Sequence, residues 1–239
     1  GHGIGGSGKN ISIRNNVIRH NASYGIHLFP RVNQTEIVNN LIHHQTGGYG
    51  ILITVDNRTG NTRILNNTVI ENNNSLIMYS NSGNEIRINN DNKNISILNN
   101  VLISEKNKVH IDEKIIGEIL IDHNLIIPKI NINGPNSIIV NFEKLFSGYI
   151  EPAKNIFLLK KSSGLIGKGI IENGNETDFW GLSRKLTNGK IDVGCFSYLP
   201  KKVTEKILSA FKDNYPYYQK VNFSDFKIHY QPDFWKLAD

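Results

Sequence analysis

The sequence predicts an all-β chain wound into a solenoid of stacked parallel strands, and three observations carry that prediction. The first is a repeat. Residues 10–29, NISIRNNVIRHNASYGIHLF, return as QTEIVNNLIHHQTGGYGILI over 34–53 and NTRILNNTVIENNNSLIMY over 61–79. They return again as NISILNNVLISEKNKVHI over 94–111 and GEILIDHNLIIPKINI over 117–132. The second asparagine of each pair sets the register at Asn16, Asn40, Asn67, Asn100 and Asn124, with spacings of 24, 27, 33 and 24 residues. A period drifting through the twenties signals a solenoid of strands. The second observation is the run of short, alternating, β-branched segments, each with too little apolar surface to fold alone and enough to bury by stacking. The third is asparagine itself: 27 of 34 precede residue 141, which separates a repeat-bearing part from a closing region.

The recurring asparagine has a physical role. Its amide can hydrogen-bond to the asparagine one turn above and one below, and its backbone tolerates the left-handed conformation of a tight corner. At these residues the sequence resembles the pectate-lyase-like family of right-handed, single-stranded parallel β-helices, secreted bacterial proteins that bind or act on polysaccharides. The resemblance covers roughly residues 1–200. His2-Gly3-Ile4 aligns with Tyr24-Gly25-Ile26, so the first residues fall inside a turn. We therefore expect a missing N-terminal portion of the same protein, carrying any secretion signal, and an extracellular or cell-surface location.

Each turn divides into three strands. In the first, residues 11–14 lead to the asparagine corner, 17–19 follow, and 24–29 form the third strand. Alternation directs Ile26, Leu28, Ile51, Ile53, Val109 and Ile111 inward. It leaves Gly25, His27, Phe29, Leu52, Thr54, His110 and Asp112 outward. In the family, the third strand lines the polysaccharide groove. The resemblance thus implies a binding face of His2, Tyr24, Phe29, Tyr49, Thr54 and His110, with His27 and Arg31 as base and carboxylate neutraliser.

Charge points the same way. Residues 1–35 hold Lys9, Arg14, Arg19, Arg31 and three histidines with no Asp or Glu, while residues 1–140 net only +2, so the basic excess is local. Such a face suits an acidic polysaccharide, whose carboxylates cations neutralise. Arg14 and Arg19 also read as solvated strand residues. His20 and His44 share one repeat position and read as repeat consensus; His43-His44 reads as a turn, since adjacent strand residues point apart. Calcium would need clustered carboxylates, and the only candidates near the face are Asp56, Asp112 and Glu113 on different turns, so no metal ligand is assigned. The lone Cys195 excludes an internal disulfide. No apolar run approaches the ~20 residues of a membrane span, no nucleic-acid motif is present, and Gly3, Gly5, Gly6 and Gly8 lack the Lys-Ser/Thr of a phosphate loop. Nine Asn-x-Ser/Thr sequons, Asn10, Asn33 and Asn94 among them, are mostly what this much asparagine gives by chance.

Three regions follow: solenoid turns over 1–140, a closing segment over 141–200, and an extension over 201–239. NIFLLKKSSGLIGKG and TDFWGLSRKLTNGKIDVGCFSY resemble the closing motifs of secreted bacterial β-helix proteins, matching at Asp178, Gly181, Arg184, Asp192, Gly194 and Tyr198 and departing at Ser163, Cys195 and Ser197. The expected role is structural: a segment running back along the solenoid, pinned by hydrogen bonds and ion pairs, with Cys195 packed as a small apolar residue. Val203, Ile207, Leu208 and Phe211 lie on one face of a helix that Pro216 stops. The aromatic residues beyond it form a cap, a sugar platform or a docking surface. Two functions remain open at this level: a polysaccharide lyase or C5-epimerase, or a non-catalytic adhesin- or tailspike-like glycan-binding module.

Overall fold

The computed structural model describes residues 1–45, 49–55, 60–72, 74–80, 94–104, 109–111, 119–127, 135–136, 138, 149–150 and 157–214. In chain order the solenoid strands are β1 (Ile4–Arg14), β2 (Val17–Arg19), β3 (Ile26–Val38), β4 (Leu41–His43), β5 (Tyr49–Val55), β6 (Gly60–Leu65) and β7 (Thr68–Asn72). They continue with β8 (Asn74–Ser80), β9 (Ile95–Leu98), β10 (Val101–Ser104), β11 (Val109–Ile111), β12 (Ile119–Asp122) and β13 (Leu125–Ile127). Every pairing among them is parallel. One sheet runs β11-β8-β5-β3-β6-β9-β12 with β1 on β3, and a second runs β13-β10-β7-β4-β2. This is the expected parallel β-solenoid.

Its register explains its core. Ile13, Ile37, Ile64, Ile97 and Ile121 stand one above another. So do Ile18, Ile42, Val69, Leu102 and Ile126, as do Ile26 and Ile51. These columns face inward and form the main apolar cluster. Each fully buried side chain contributes about 2 kcal/mol of transfer free energy, which no single turn could collect.

The corners divide the work expected of one asparagine between two. The first of each pair turns left-handed: Asn15, Asn39, Asn66 and Asn99 have φ between 53° and 59°, and His123 continues the column at 52°. The second makes the ladder. Asn40, Asn67, Asn100 and Asn124 each accept, on Oδ1, both the backbone N–H and the side-chain N–H of the asparagine one turn earlier, at 2.8–3.1 Å. Burial without those partners would be costly. His20 and His44 occupy a second left-handed column; Asn10, Gln34, Asn61 and Asn94 occupy a third.

Three strands per turn were expected, but β1 and β3 each join two of them. The third-column residues bend the chain without ending it, so β3 pairs with β5 through residues 26–28 and with β6 through 33–38. Beyond the solenoid, β14 (Tyr149–Ile150) pairs antiparallel with β15 (Leu158–Leu159). Among the described residues a single helix, α1 (Lys201–Asn214), covers the expected helical stretch and packs Ile207 and Leu208 on a second apolar cluster with Phe157, Leu165 and Val193. The aromatic residues after 214 lie outside the described residues.

The closing segment runs back along the first asparagines of the pairs. Asn99 exchanges hydrogen bonds with Ile170, Asn66 donates to the carbonyls of Asp192 and Gly194, and Asn39 donates to that of Thr177. Arg184, 5% exposed, donates to the carbonyls of Thr177, Asp192 and Gly194 and to Asn39 Oδ1. The expected pinning is there, made at Arg184 by carbonyl oxygens. Asp178 caps the N–H groups of Trp180, Leu182 and Ser197, and Asp192 those of Gly167 and Tyr198. Cys195 is buried, its thiol pushed up to about 12 by burial.

Candidate functional site: the outward face of the third strand

The site begins with a glycine. Tyr24-Gly25-Ile26 stacks on Tyr49-Gly50-Ile51 of the next turn, and a Cβ on Gly25 would lie 2.5 Å from the carbonyl oxygen of Gly50 and 2.6 Å from Ile42. Gly25 was expected to face outward. It is buried against the interior, because strand alternation begins only at Ile26. This close approach sets Tyr24, two residues before β3, beside Tyr49, the first residue of β5.

Five of the expected site residues then come together. The ring of His2 stacks on Tyr24 at 4.7 Å between centroids and 6° between planes, and Tyr24 stacks on Tyr49 at 5.1 Å and 11°. His27 stands edge-on to His2 at 4.7 Å and to Tyr24 at 4.9 Å, and Phe29 lies 5.9 Å beyond it. Such offset and edge-to-face arrangements are the favourable ones for aromatic rings. Phe29 is 43% exposed, high for a residue of its size in a strand. Polar links join the same rings: Tyr24 N–H donates to His2 Nδ1 at 3.4 Å, and His2 Nε2 meets His27 Nδ1 at 3.2 Å. Burial, and then the facing His2, hold His27 below the usual imidazole range. Both effects favour its uncharged form.

The remaining expected residues are placed by backbone alone. Arg31 lies on β3 two residues after Phe29, and Thr54 lies on β5 opposite Tyr79 of β8. His110 shares the register of His27, through Leu52 and Ile77. Leu52 was expected to face solvent but is 3% exposed, so the face open at His27 is closed one strand along. Among the described residues, no group of three His, Cys, Asp or Glu is arranged to hold a metal. Asp56, Asp112 and Glu113 lie outside them.

Two clusters escaped the sequence reading. Arg14, expected in solvent, is half-buried: it pairs with Glu36 at 2.5 Å and donates to the carbonyl of Gly174 at 2.7 Å, while Arg63 pairs with the other Glu36 oxygen. Together they hold Glu36 below the usual carboxylate range, after opposing its burial. One of the four early cations therefore ties the closing segment down instead of joining the expected binding face. The only advance signal was Glu36 itself, the first acid in the chain. The second cluster is His20, His43 and His44. His43 is wholly buried, and its Nδ1 lies 2.7 Å from that of His44, with His20 5.4 Å from His44 between centroids. The expected divergence of His43 and His44 fails because His44 turns left-handed at φ 54°, where alternation no longer holds.

No family model matches the chain, nor does any curated protein or solved structure. Among the described residues, no helix is long and apolar enough to cross a membrane.

Proposed function

We propose that this β-solenoid recognises an acidic polysaccharide, outside the cell or at its surface, on the outward face of β3. The carrying observation is the convergence of His2, Tyr24, His27, Phe29 and Tyr49 on one face, ending in the exposed ring of Phe29. An exposed aromatic ring packs on the C–H faces of a sugar, ring nitrogens supply hydrogen bonds, and Arg31 on the same strand brings a cation for a carboxylate. The resemblance of the Tyr-Gly-Ile repeats to polysaccharide-active β-helices supports the same ligand class.

A second reading adds a reaction, elimination or C5-epimerisation of a uronate. The lowered pKa of His27 meets one requirement of it, an uncharged base; the other is a ring lone pair open to the substrate. One panel experiment separates the two. Binding of acidic and neutral polysaccharides is measured for the wild type and Phe29→Ala, and ultraviolet absorbance follows any unsaturated uronate. Recognition predicts binding to acidic chains that weakens about tenfold in Phe29→Ala. A rise in absorbance would add lyase activity. Equal binding by the variant, or preference for neutral chains, would reject the proposed face.

A further inference from the structure

His2 faces a donor that cannot change role. The backbone N–H of Tyr24 points at its Nδ1, 3.4 Å away. A peptide N–H only donates, so His2 Nδ1 keeps its lone pair there. In the neutral ring the proton then sits on Nε2, and Nε2 lies 3.2 Å from Nδ1 of His27. Two bare nitrogens would repel, and two protonated ones would clash. The compatible arrangement has His2 Nε2–H donating to His27 Nδ1, which places the single proton of neutral His27 on its own Nε2. That nitrogen has no hydrogen-bond partner among the described residues and is not among the buried, unpaired polar atoms.

We propose that His2 is a positioning residue: it fixes His27 in the Nε2–H form, so that the face presents a neutral N–H donor to an acceptor oxygen of the ligand, a uronate carboxylate or a sugar hydroxyl. The ligand half rests on the reading of this face as glycan-binding; the tautomer half rests on the geometry alone. The arrangement bears on the reaction as well. With the Nδ1 lone pair engaged and Nε2 protonated, His27 has no free lone pair to take a proton while His2 is seated. The lowered pKa of His27 agrees, because burial and a facing N–H both oppose a second proton on Nδ1.

Long-range proton–nitrogen NMR correlations of the imidazoles at neutral pH test it. The expected spectrum has His2 and His27 both protonated at Nε2. Phe in place of His2 keeps a ring on Tyr24 but removes the donor, so His2→Phe should give His27 a mixed tautomer and raise its pKa towards the ordinary 6.5. Binding of an oligouronate should weaken several-fold in His2→Phe and about tenfold in His27→Phe. An Nδ1–H form of His27 in the wild type, or a tautomer unchanged in His2→Phe, overturns the positioning role. Oligouronate binding undiminished in His27→Phe overturns the donor role. No binding by the wild type, with the expected tautomer in place, rejects the glycan reading and the ligand half resting on it, and leaves the positioning role standing.

Discussion

At the scale of single residues, the solenoid rests on amides and glycines whose partners are fixed. Asn67 donates to the carbonyls of Ile37 and Leu65 and to Asn100 Oδ1, and accepts twice from Asn40, all buried. Truncating it strands several of those groups at once. Asn67→Ala should cost about 3 kcal/mol, read as a lower urea midpoint. Asn16, at the exposed end of the same ladder, makes fewer bonds and is half-buried. Asn16→Ala should cost no more than about 1 kcal/mol, and equal losses at the two sites would contradict the ladder as the source of stability. Gly25→Ala drives a methyl into the Gly50 carbonyl and Ile42. It should destabilise by about 1–3 kcal/mol and weaken the Tyr24–Tyr49 stack, visible in near-ultraviolet circular dichroism. The asparagine ladder was legible in the sequence because a repeated residue type reports a repeated environment. The buried glycine was not: an alternation rule applied one residue before the strand begins gives the wrong side.

At the scale of the element, the turn after β4 is sensitive to acid. His43 is wholly buried beside Phe157, His44 and His20, with Arg19 its register partner on β2. Burial, then His44, His20 and Arg19, hold its pKa well below the usual value. Partial burial, then His44 and Arg19, push His20 down to about 4. Both folded pKa values lie below the unfolded value of about 6.5. Between the two, the unfolded chain binds protons that the folded chain refuses, so stability is full above about pH 6.5 and falls as the pH drops. His43 alone gives a slope of about 1.4 kcal/mol per pH unit. Urea unfolding at stepped pH should show that decline, and His43→Gln should flatten it; an unchanged slope would mean the cluster is not the titrating element. The histidine trio was hidden from the sequence because it joins two turns across a left-handed corner, where neither strand nor helix periodicity applies.

At the scale of the whole molecule, the solenoid is a stack locked along one edge by its own closing segment. The lock centres on Arg184, whose guanidinium replaces an ion pair with carbonyl oxygens and the Asn39 amide. Arg184→Leu should cost about 3 kcal/mol and speed tryptic cleavage at the neighbouring exposed Lys185 and Lys190. An unchanged cleavage rate would mean that other bonds hold the segment. The parallel stack was legible from period and composition, since both follow from what each turn must bury. The grouping on the proposed face was legible only in part: the sequence brought together His2, Tyr24, His27, Phe29 and Tyr49, but it counted Arg14 among the free cations, and Arg14 pairs with an acid one turn away. The proposal that the outward face of β3 takes an acidic glycan is tested by chemical-shift mapping of an oligouronate on nitrogen-labelled protein. The shifts should concentrate on Tyr24 to Arg31, His2 and Tyr49. Shifts confined to the closing segment around Lys185 and Lys190, or none at saturating oligosaccharide, would contradict it.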